Sequence, residues 1–261
     1  MILDSISDFL NKDIENKLLF KNDYLLPSIV ICYLLFVTWI GPSLMENRKP
    51  FNLRGIMVVY NFIEVCVNIY VFKWLFSTMI VYWPVRCTSH EDPRYLEVYK
   101  KTLPLWWFAL LNKMFELGDT TQKYETVLFG EFESVEAEGL MPITGTTTVM
   151  IANTDVFCEC AVVKTEGFYF SIILGVNIIV HTVLYTYYGL SSIGPHMEKY
   201  LWWKKYLTAL QIGQFVFDLA YVAVDLLTGC KEIGINQILM FAFITYLLIL
   251  FLNLYKKKYC E

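Results

Sequence analysis

Long apolar blocks constrain this chain more than any other feature of it. They run over residues 24–45, 55–83, 103–117, 168–193, 207–227 and 235–255. A helix rises about 1.5 Å per residue, so about twenty apolar residues cross a ~30 Å hydrocarbon core. Lipid gives backbone N–H and C=O groups no partners, which leaves only helices or closed barrels as spanning structures. These blocks are too long for barrel strands of about ten residues. The pattern therefore predicts an all-α membrane protein, a polytopic helical bundle with about six recognisable spans. Two blocks are imperfect: 55–83 holds Glu64 and Lys73, and 103–117 is short and holds Lys113 and Glu116.

The bulk numbers agree. Of the 261 residues 18% are charged, against about 25% in soluble domains. A net charge of −4 gives no basic footprint for nucleic acid. The first twenty residues mix Asp4, Asp8, Lys12, Asp13, Glu15 and Lys17 with apolar positions, which is the wrong order for a secretory signal. The first apolar block is expected to act as its own insertion signal. Seven cysteines, an odd count spread through the apolar blocks, argue against a disulfide framework. Cys158-x-Cys160 has no nearby histidine or second pair, so no metal site is expected. Trp83, Trp106, Trp107, Trp202 and Trp203 gather at block ends and suit interfacial belts.

Residues 121–167 break the pattern. They carry an acidic run from Glu131 to Glu138 and a Thr/Gly cluster from Thr144 to Thr148, with no apolar stretch long enough to span. The expectation is loop or disordered chain with a short strand or amphipathic piece, and such a length is unusual inside a compact bundle. Orientation sharpens the anomaly. Basic residues favour the cytoplasm, which places both the loop with Arg48, Lys49 and Arg54 and the tail with Lys256, Lys257 and Lys258 there. Counting spans forward from the loop puts 121–167 in the cytoplasm, and counting back from the tail puts it in the lumen. Either one block does not cross or a span is missing.

Charged side chains at mid-bilayer cost about 2.5–3.5 kcal/mol on insertion scales, so polar groups inside the blocks turn inward. Three sets stand out. Lys113, Glu116, Asp119 and Thr120 share one helix face, and Lys113 can pair with Glu116 at i, i+3. They form either a structural ion-pair cluster at a helix end or part of a site. Asn177, His181, Tyr185 and Tyr188 also stack on one face. An imidazole titrating near neutrality among phenols can serve as nucleophile or base, or it can be a hydrogen-bonded core histidine. Thr208, Gln211, Gln214, Asp218 and Asp225 form a polar stripe that could line a tunnel or join helices. His90 and His196 fall in loops and carry no assigned role.

Four ordered elements resemble the ELO family of very-long-chain fatty acid elongases. LRGIMVVYNF, residues 53–62, is similar to the family's second span through Tyr60 and Asn61. KMFELGDT matches K-x-x-E-x-x-D-T through Lys113, Glu116, Asp119 and Thr120. NIIVHTVLYTYY matches N-x-x-V-H-x-x-M-Y-x-Y-Y with Leu184 in place of Met, and LWWKKYLTALQIGQF matches T-x-x-Q-x-x-Q-F through Thr208, Gln211, Gln214 and Phe215. The family's H-x-x-H-H box, due within about twenty residues of Asp119 and Thr120, is absent; the three histidines lie at 90, 181 and 196. The family also starts a span at that box, so the missing motif and the topology conflict both point to 121–167 as an inserted or replaced segment of one elongase-like domain, 1–261. A mispredicted exon, a retained intron or a splice variant would produce it, as would a degenerate paralogue.

The resemblance implies seven spans around an acyl tunnel in the endoplasmic reticulum membrane. It also implies an acyltransferase, a 3-oxoacyl-CoA synthase that condenses long-chain acyl-CoA with malonyl-CoA and releases CO₂ and CoA. No cofactor is implied beyond these substrates. By the resemblance, His181 is the surviving catalytic histidine, with Asn177, Tyr185 and Tyr188 orienting it or binding the thioester. Lys113, Glu116 and Asp119 would line the cytoplasmic mouth and Gln211 and Gln214 the tunnel. Lys204 and Lys205 would contact CoA phosphates, or serve only as topology signals. Expected partners are membrane lipids, other enzymes of the elongation cycle and another copy or relative in an oligomer, and no nucleic acid. Without the box, condensing activity should be impaired, which keeps a catalytically inactive scaffold as the alternative. A small transporter is disfavoured by the lack of matching broken helices in the two halves. The tail KKKYCE puts Lys258 fourth and Lys257 fifth from the end, only a loose fit to a dilysine retrieval signal.

Overall fold

The computed structural model describes residues 25–40, 43–44, 54–85, 87, 92–116, 161–228 and 235–259. These residues form helices and no strands. Helix α1 is Leu25–Leu35 and continues as a π-helical stretch, Phe36–Ile40. Helices α2 (Arg54–Tyr82), α3 (Pro93–Glu116), α4 (Ala161–Ile193), α5 (Lys204–Thr228) and α6 (Ile235–Tyr259) follow. Stretches long and apolar enough to cross a bilayer lie at Arg54–Val81, Ser171–Ile193, Lys204–Val224 and Met240–Lys257. The chain is an all-α, multi-pass membrane protein. The first apolar block is described only in part. The 121–167 segment falls outside the described residues up to residue 160, as do Cys158 and Cys160; residues 161–167, expected as loop, are the first turns of α4.

The third block is longer than its apolar run suggests. Helix α3 begins at Pro93, ten residues upstream of that block. Proline suits the first helical position, where its missing N–H costs nothing. Asp92 caps the end by accepting from the Arg94 amide at 2.8 Å. The Arg94 side chain and amide hold the Asp92 carboxyl below the usual carboxylate range. The early turns place Val98 and Thr102 inward and the 2.8 Å Lys101–Glu97 pair outward. A one-faced stripe is invisible to a search for uniformly apolar sequence. It also moves Trp106, 9% exposed, and Trp107 into the middle of α3, so neither marks a span end.

The structure falls into two compact units, one of residues 1–52 and 89–167, the other of 53–88 and 168–261. In the first, α3 buries Val98, Thr102, Leu105, Ala109, Asn112 and Glu116, alternating steps of four and three that trace one face.

The second unit is built around α4. Half of its spanning stretch is buried, against 22% for α2 and 28% for α6. One face of α4 carries Ser171, Leu174, Ile178, His181 and Tyr185, and a second carries Val180, Leu184 and Tyr187. Helix α2 runs antiparallel to α4. A Cβ at Gly175 would meet the Leu75 side chain at 3.4 Å, and one at Gly189 would meet Asn61 Cβ at 3.4 Å. Small residues at these two levels let the helices approach closely. The second face of α4 clusters with Leu201 and Leu207 at the start of α5. Between them Gly194, at φ 137°, turns the chain into the 3₁₀ segment Pro195–Tyr200, a backbone angle that favours glycine. Helices α5 and α6 pack antiparallel through Phe215 and Phe251, whose ring centroids lie 5.1 Å apart.

Cys87, five residues past the end of α2, is disulfide-bonded to a partner outside the described residues. This corrects the expectation drawn from the odd cysteine count, which weighs against a framework and leaves room for a single bridge. Among the described residues Cys32 and Cys66 are free. The antiparallel order puts the end of α4, the start of α5 and the end of α6, with Lys256 and Lys257, on the same side as Arg54. Arg54, Lys256 and Lys257 thus share one side within this unit, the arrangement that the basic-residue rule expects. Cys87 is expected to resist maleimide until a reductant is added; peptide mapping that finds it labelled without reductant would contradict the bridge.

Candidate active site

Helix α4 brings the chemistry to the middle of the second unit. His181 is 7% exposed and Tyr185 2%. Their rings meet edge to face at 5.9 Å, Tyr185 meets Tyr188 at 6.5 Å, and Tyr188 meets Tyr187 at 5.9 Å. Helix α2 adds Tyr60, whose ring stands 6.4 Å from that of Tyr185 at 82°. Edge-to-face contacts fix ring orientation at a gain of about 0.5–1.5 kcal/mol each. The imidazole is thus held on an inward face among phenol rings, one turn beyond half-buried Asn177.

The wall that α2 presents is polar where an apolar block would need it least. Asn61, Glu64 and Asn68 are 1%, 3% and 1% exposed, spaced i, i+3 and i+7, and continue into buried Val71 and Leu75. Asn61 Nδ2 donates to the Met57 carbonyl at 2.7 Å and Asn68 Nδ2 to the Glu64 carbonyl at 2.9 Å. The antiparallel register set by Gly175 and Gly189 puts Asn68 about level with His181 and Glu64 about level with Tyr185. Glu64 and Asn68 were not among the expected site residues. Their a/d spacing with Asn61 was the available signal.

Helix α5 supplies the opposite polar stripe. Thr208, Gln211, Gln214 and Asp218 are 6%, 6%, 7% and 1% exposed. Gln214 Nε2 lies 3.5 Å from Asp218 Oδ2, and Thr208 hydrogen-bonds Tyr259 of α6. Tyr187 and Trp203 meet at 5.2 Å, an antiparallel register that carries Gln211 to about the level of His181 and Gln214 to about that of Asn177. Helix α6 closes this side with an apolar face of Phe243, Ile244, Leu247 and Phe251.

The first unit holds its own polar cluster at the end of α3. Lys113 Nζ donates to Glu116 Oε2 at 2.7 Å, and Asn112 Nδ2 to Glu116 Oε1 at 3.1 Å. The side chains of Lys113 and Glu116 are 5% and 1% exposed. Sequence reasoning found the pair and missed Asn112, which sits four residues before Glu116. Asp119 and Thr120 lie outside the described residues, as does the side chain of Asp225. Lys204 is half-buried, and Lys205 is exposed with its Nζ 5.0 Å from the centre of the Tyr206 ring. His196 is exposed in the 3₁₀ turn, and His90 is outside the described residues. Among the described residues no group of three metal-ligating side chains comes together.

These inward stripes sit on the segments that comparison with known proteins picks out. The model of the GNS1/SUR4 family, ELO, matches residues 18–122 and 152–261. The chain belongs to the ELO family. Among its relatives, very long chain fatty acid elongase 4 of Homo sapiens is 30% identical, over 98% of this chain and 77% of the relative. Very long chain fatty acid elongase 1 of Mus musculus is 34% identical over 78% and 69%, and very long chain fatty acid elongase 7 of Rattus norvegicus 31% over 95% and 85%. Both the α4 histidine face and the α5 glutamine stripe lie within the second ELO match, and the Lys113–Glu116 pair within the first.

Proposed function

We infer that this ELO chain carries the framework of a fatty acid condensing enzyme in the endoplasmic reticulum membrane, with long-chain acyl-CoA and malonyl-CoA as substrates and no further cofactor. The observation that carries the reading is a buried histidine, His181, on the family's own motif and among polar residues from three helices. In this reading the His181 ring nitrogen attacks the acyl thioester. The acyl–sulfur bond breaks, and CoA leaves with the proton displaced from the imidazole. Malonyl-CoA then loses CO₂ to give an enolate, whose carbon attacks the acyl-imidazole. The imidazole departs, takes one proton from solvent, and leaves 3-oxoacyl-CoA. Asn177, Tyr185 and Tyr188 orient the ring and meet the thioester oxygen, and Gln211 and Gln214 line the path of the chain. Lys113, Glu116 and Asp119 serve the cytoplasmic mouth, and Lys204 and Lys205 the CoA phosphates. Exclusion of water protects the enolate. Other enzymes of the elongation cycle, and a second copy or a relative, are its expected partners.

The missing H-x-x-H-H box limits this chemistry. The ELO match stops at 122 and resumes at 152, which supports reading the segment within 121–167 as a replacement for family sequence. Microsomes carrying this chain, given malonyl-CoA and long acyl-CoA primers, are expected to form little or no 3-oxoacyl-CoA. Robust condensation there would refute the need for the box. The same absence favours a second reading, an inactive elongase-like scaffold, which would co-purify with an active relative and show no turnover of its own.

A further inference from the structure

Helix α2 carries a buried glutamate, Glu64, that the condensation reading leaves without a role. It is 3% exposed and stands between Asn61 and Leu75 on one inward stripe. Both ends of that stripe lie against α4, Asn61 at Gly189 and Leu75 at Gly175. The positions between them share the stripe, so Glu64 faces α4 as well. A carboxylate within a spanning stretch is costly and is kept where it turns toward a polar partner. Lys73, the lysine of the same stretch, is exposed and so turned away from this seam.

One ring contact settles which flank of the seam holds Glu64. Tyr60 meets Tyr185 across it at 6.4 Å. Glu64 follows Tyr60 by four residues on α2, and His181 precedes Tyr185 by four on α4. In antiparallel helices these two steps run the same way, one turn or about 6 Å along the seam. The carboxylate and the imidazole therefore stand on one flank, beside the Tyr185 ring that His181 meets at 5.9 Å. By backbone level Glu64 is about one turn from His181. Tyr60 lies about as far in level from Tyr185, and those side chains already meet.

We propose that Glu64 is a positioning residue for His181: its carboxylate accepts the imidazole N–H and leaves the other ring nitrogen bare for the acyl thioester. The inference rests on the elongase reading and adds a residue to that same site. A neutral imidazole carries its proton on one nitrogen at a time, and the partner of the N–H decides which one. A carboxylate there fixes both the tautomer and the ring plane, and steadies the positive charge that grows on the ring during attack. Glu64 holds the N–H without keeping its proton, so the proton still leaves with CoA.

The test uses the purified full chain in detergent, labelled with ¹⁵N-histidine, as the parent and as Glu64→Gln and Glu64→Leu. The His181 signals are those lost in His181→Gln. In the parent, one ring nitrogen is expected to stay protonated, with its N–H drawn downfield by the carboxylate. That signal should move upfield in Glu64→Gln and further in Glu64→Leu, with those of His90 and His196 unmoved. Acyl transfer to His181 is read as CoA released from long-chain acyl-CoA in a single turnover. It should fall about a hundredfold in Glu64→Leu and less in Glu64→Gln, with acyl-CoA binding little changed. Should Glu64→Leu lose binding through misfolding, the Glu64→Gln protein decides alone. An N–H signal that stays put, or CoA release at the parent rate, overturns this inference and leaves the elongase reading standing. A parent that binds acyl-CoA and releases no CoA removes His181 as the nucleophile, and the elongase reading and this inference fall together.

Discussion

Glu116→Ala is expected to destabilise the protein by about 3–5 kcal/mol, the cost of breaking a buried ion pair from one side. Both carboxylate oxygens of Glu116 are in use, Oε2 by Lys113 at 2.7 Å and Oε1 by Asn112 at 3.1 Å. With the Lys113 side chain 5% exposed, removal of the carboxylate takes an acceptor from a buried ammonium and from the Asn112 amide. Replacing both partners, as in Lys113→Met with Glu116→Leu, removes the buried charge itself and should recover stability to within about 1–2 kcal/mol of the parent. Thermal unfolding of the parent, Lys113→Met, Glu116→Leu and the double variant in one detergent closes the double-mutant cycle, with Glu116→Ala measured beside them. A double variant as unstable as Glu116→Ala would show that the pair is not what the helix end depends on.

His181→Ala is expected to abolish condensation in a version of the chain with an H-x-x-H-H segment set between residues 122 and 152, where the two ELO matches part. Loss of the nucleophile should lower formation of 3-oxoacyl-CoA by at least about a thousandfold. Binding of acyl-CoA should change little, because the inward faces of α2, α5 and α6 are untouched. The polar neighbours of His181 on α4 cannot replace the imidazole: Asn177 carries an amide and Tyr185 and Tyr188 carry phenols, none of which supplies the ring nitrogen that the acyl transfer uses. Turnover in the His181→Ala protein would remove His181 from the mechanism and return it to the role of a packed core residue.

Much of this was legible in the sequence, for physical reasons that also explain the gaps. Uniform apolarity gave α2, α5 and α6 nearly to their ends, because a bilayer demands it along the whole length, and gave α4 from residue 168, seven residues after its start. The first ten residues of α3 were invisible to the same criterion, since a helix with one wet face buries only every third or fourth residue. Helical periodicity placed His181, Tyr185, Gln211 and Gln214 inward, and all four are buried. It was not applied to α2, where Glu64 read as a mere interruption, although Asn61, Glu64 and Asn68 share one face. The Cys87 bridge escaped because an odd count speaks to a framework and not to one bond. Tyr60 against Tyr185 is a contact between distant positions, which no local pattern reveals.

The central claim is that long-chain acyl-CoA enters the second unit and lies along the inward faces of α2, α4 and α5. It is tested most directly by photolabelling the purified chain with an acyl-CoA bearing a diazirine on the acyl chain near the thioester, followed by peptide mapping. Adducts are expected on inward residues at the level of His181, such as Asn68, Tyr185 and Gln211. Adducts confined to outward positions of the same helices, such as Phe62, Ile69 and Val216, would mean that the acyl chain never leaves the lipid, and would contradict the claim.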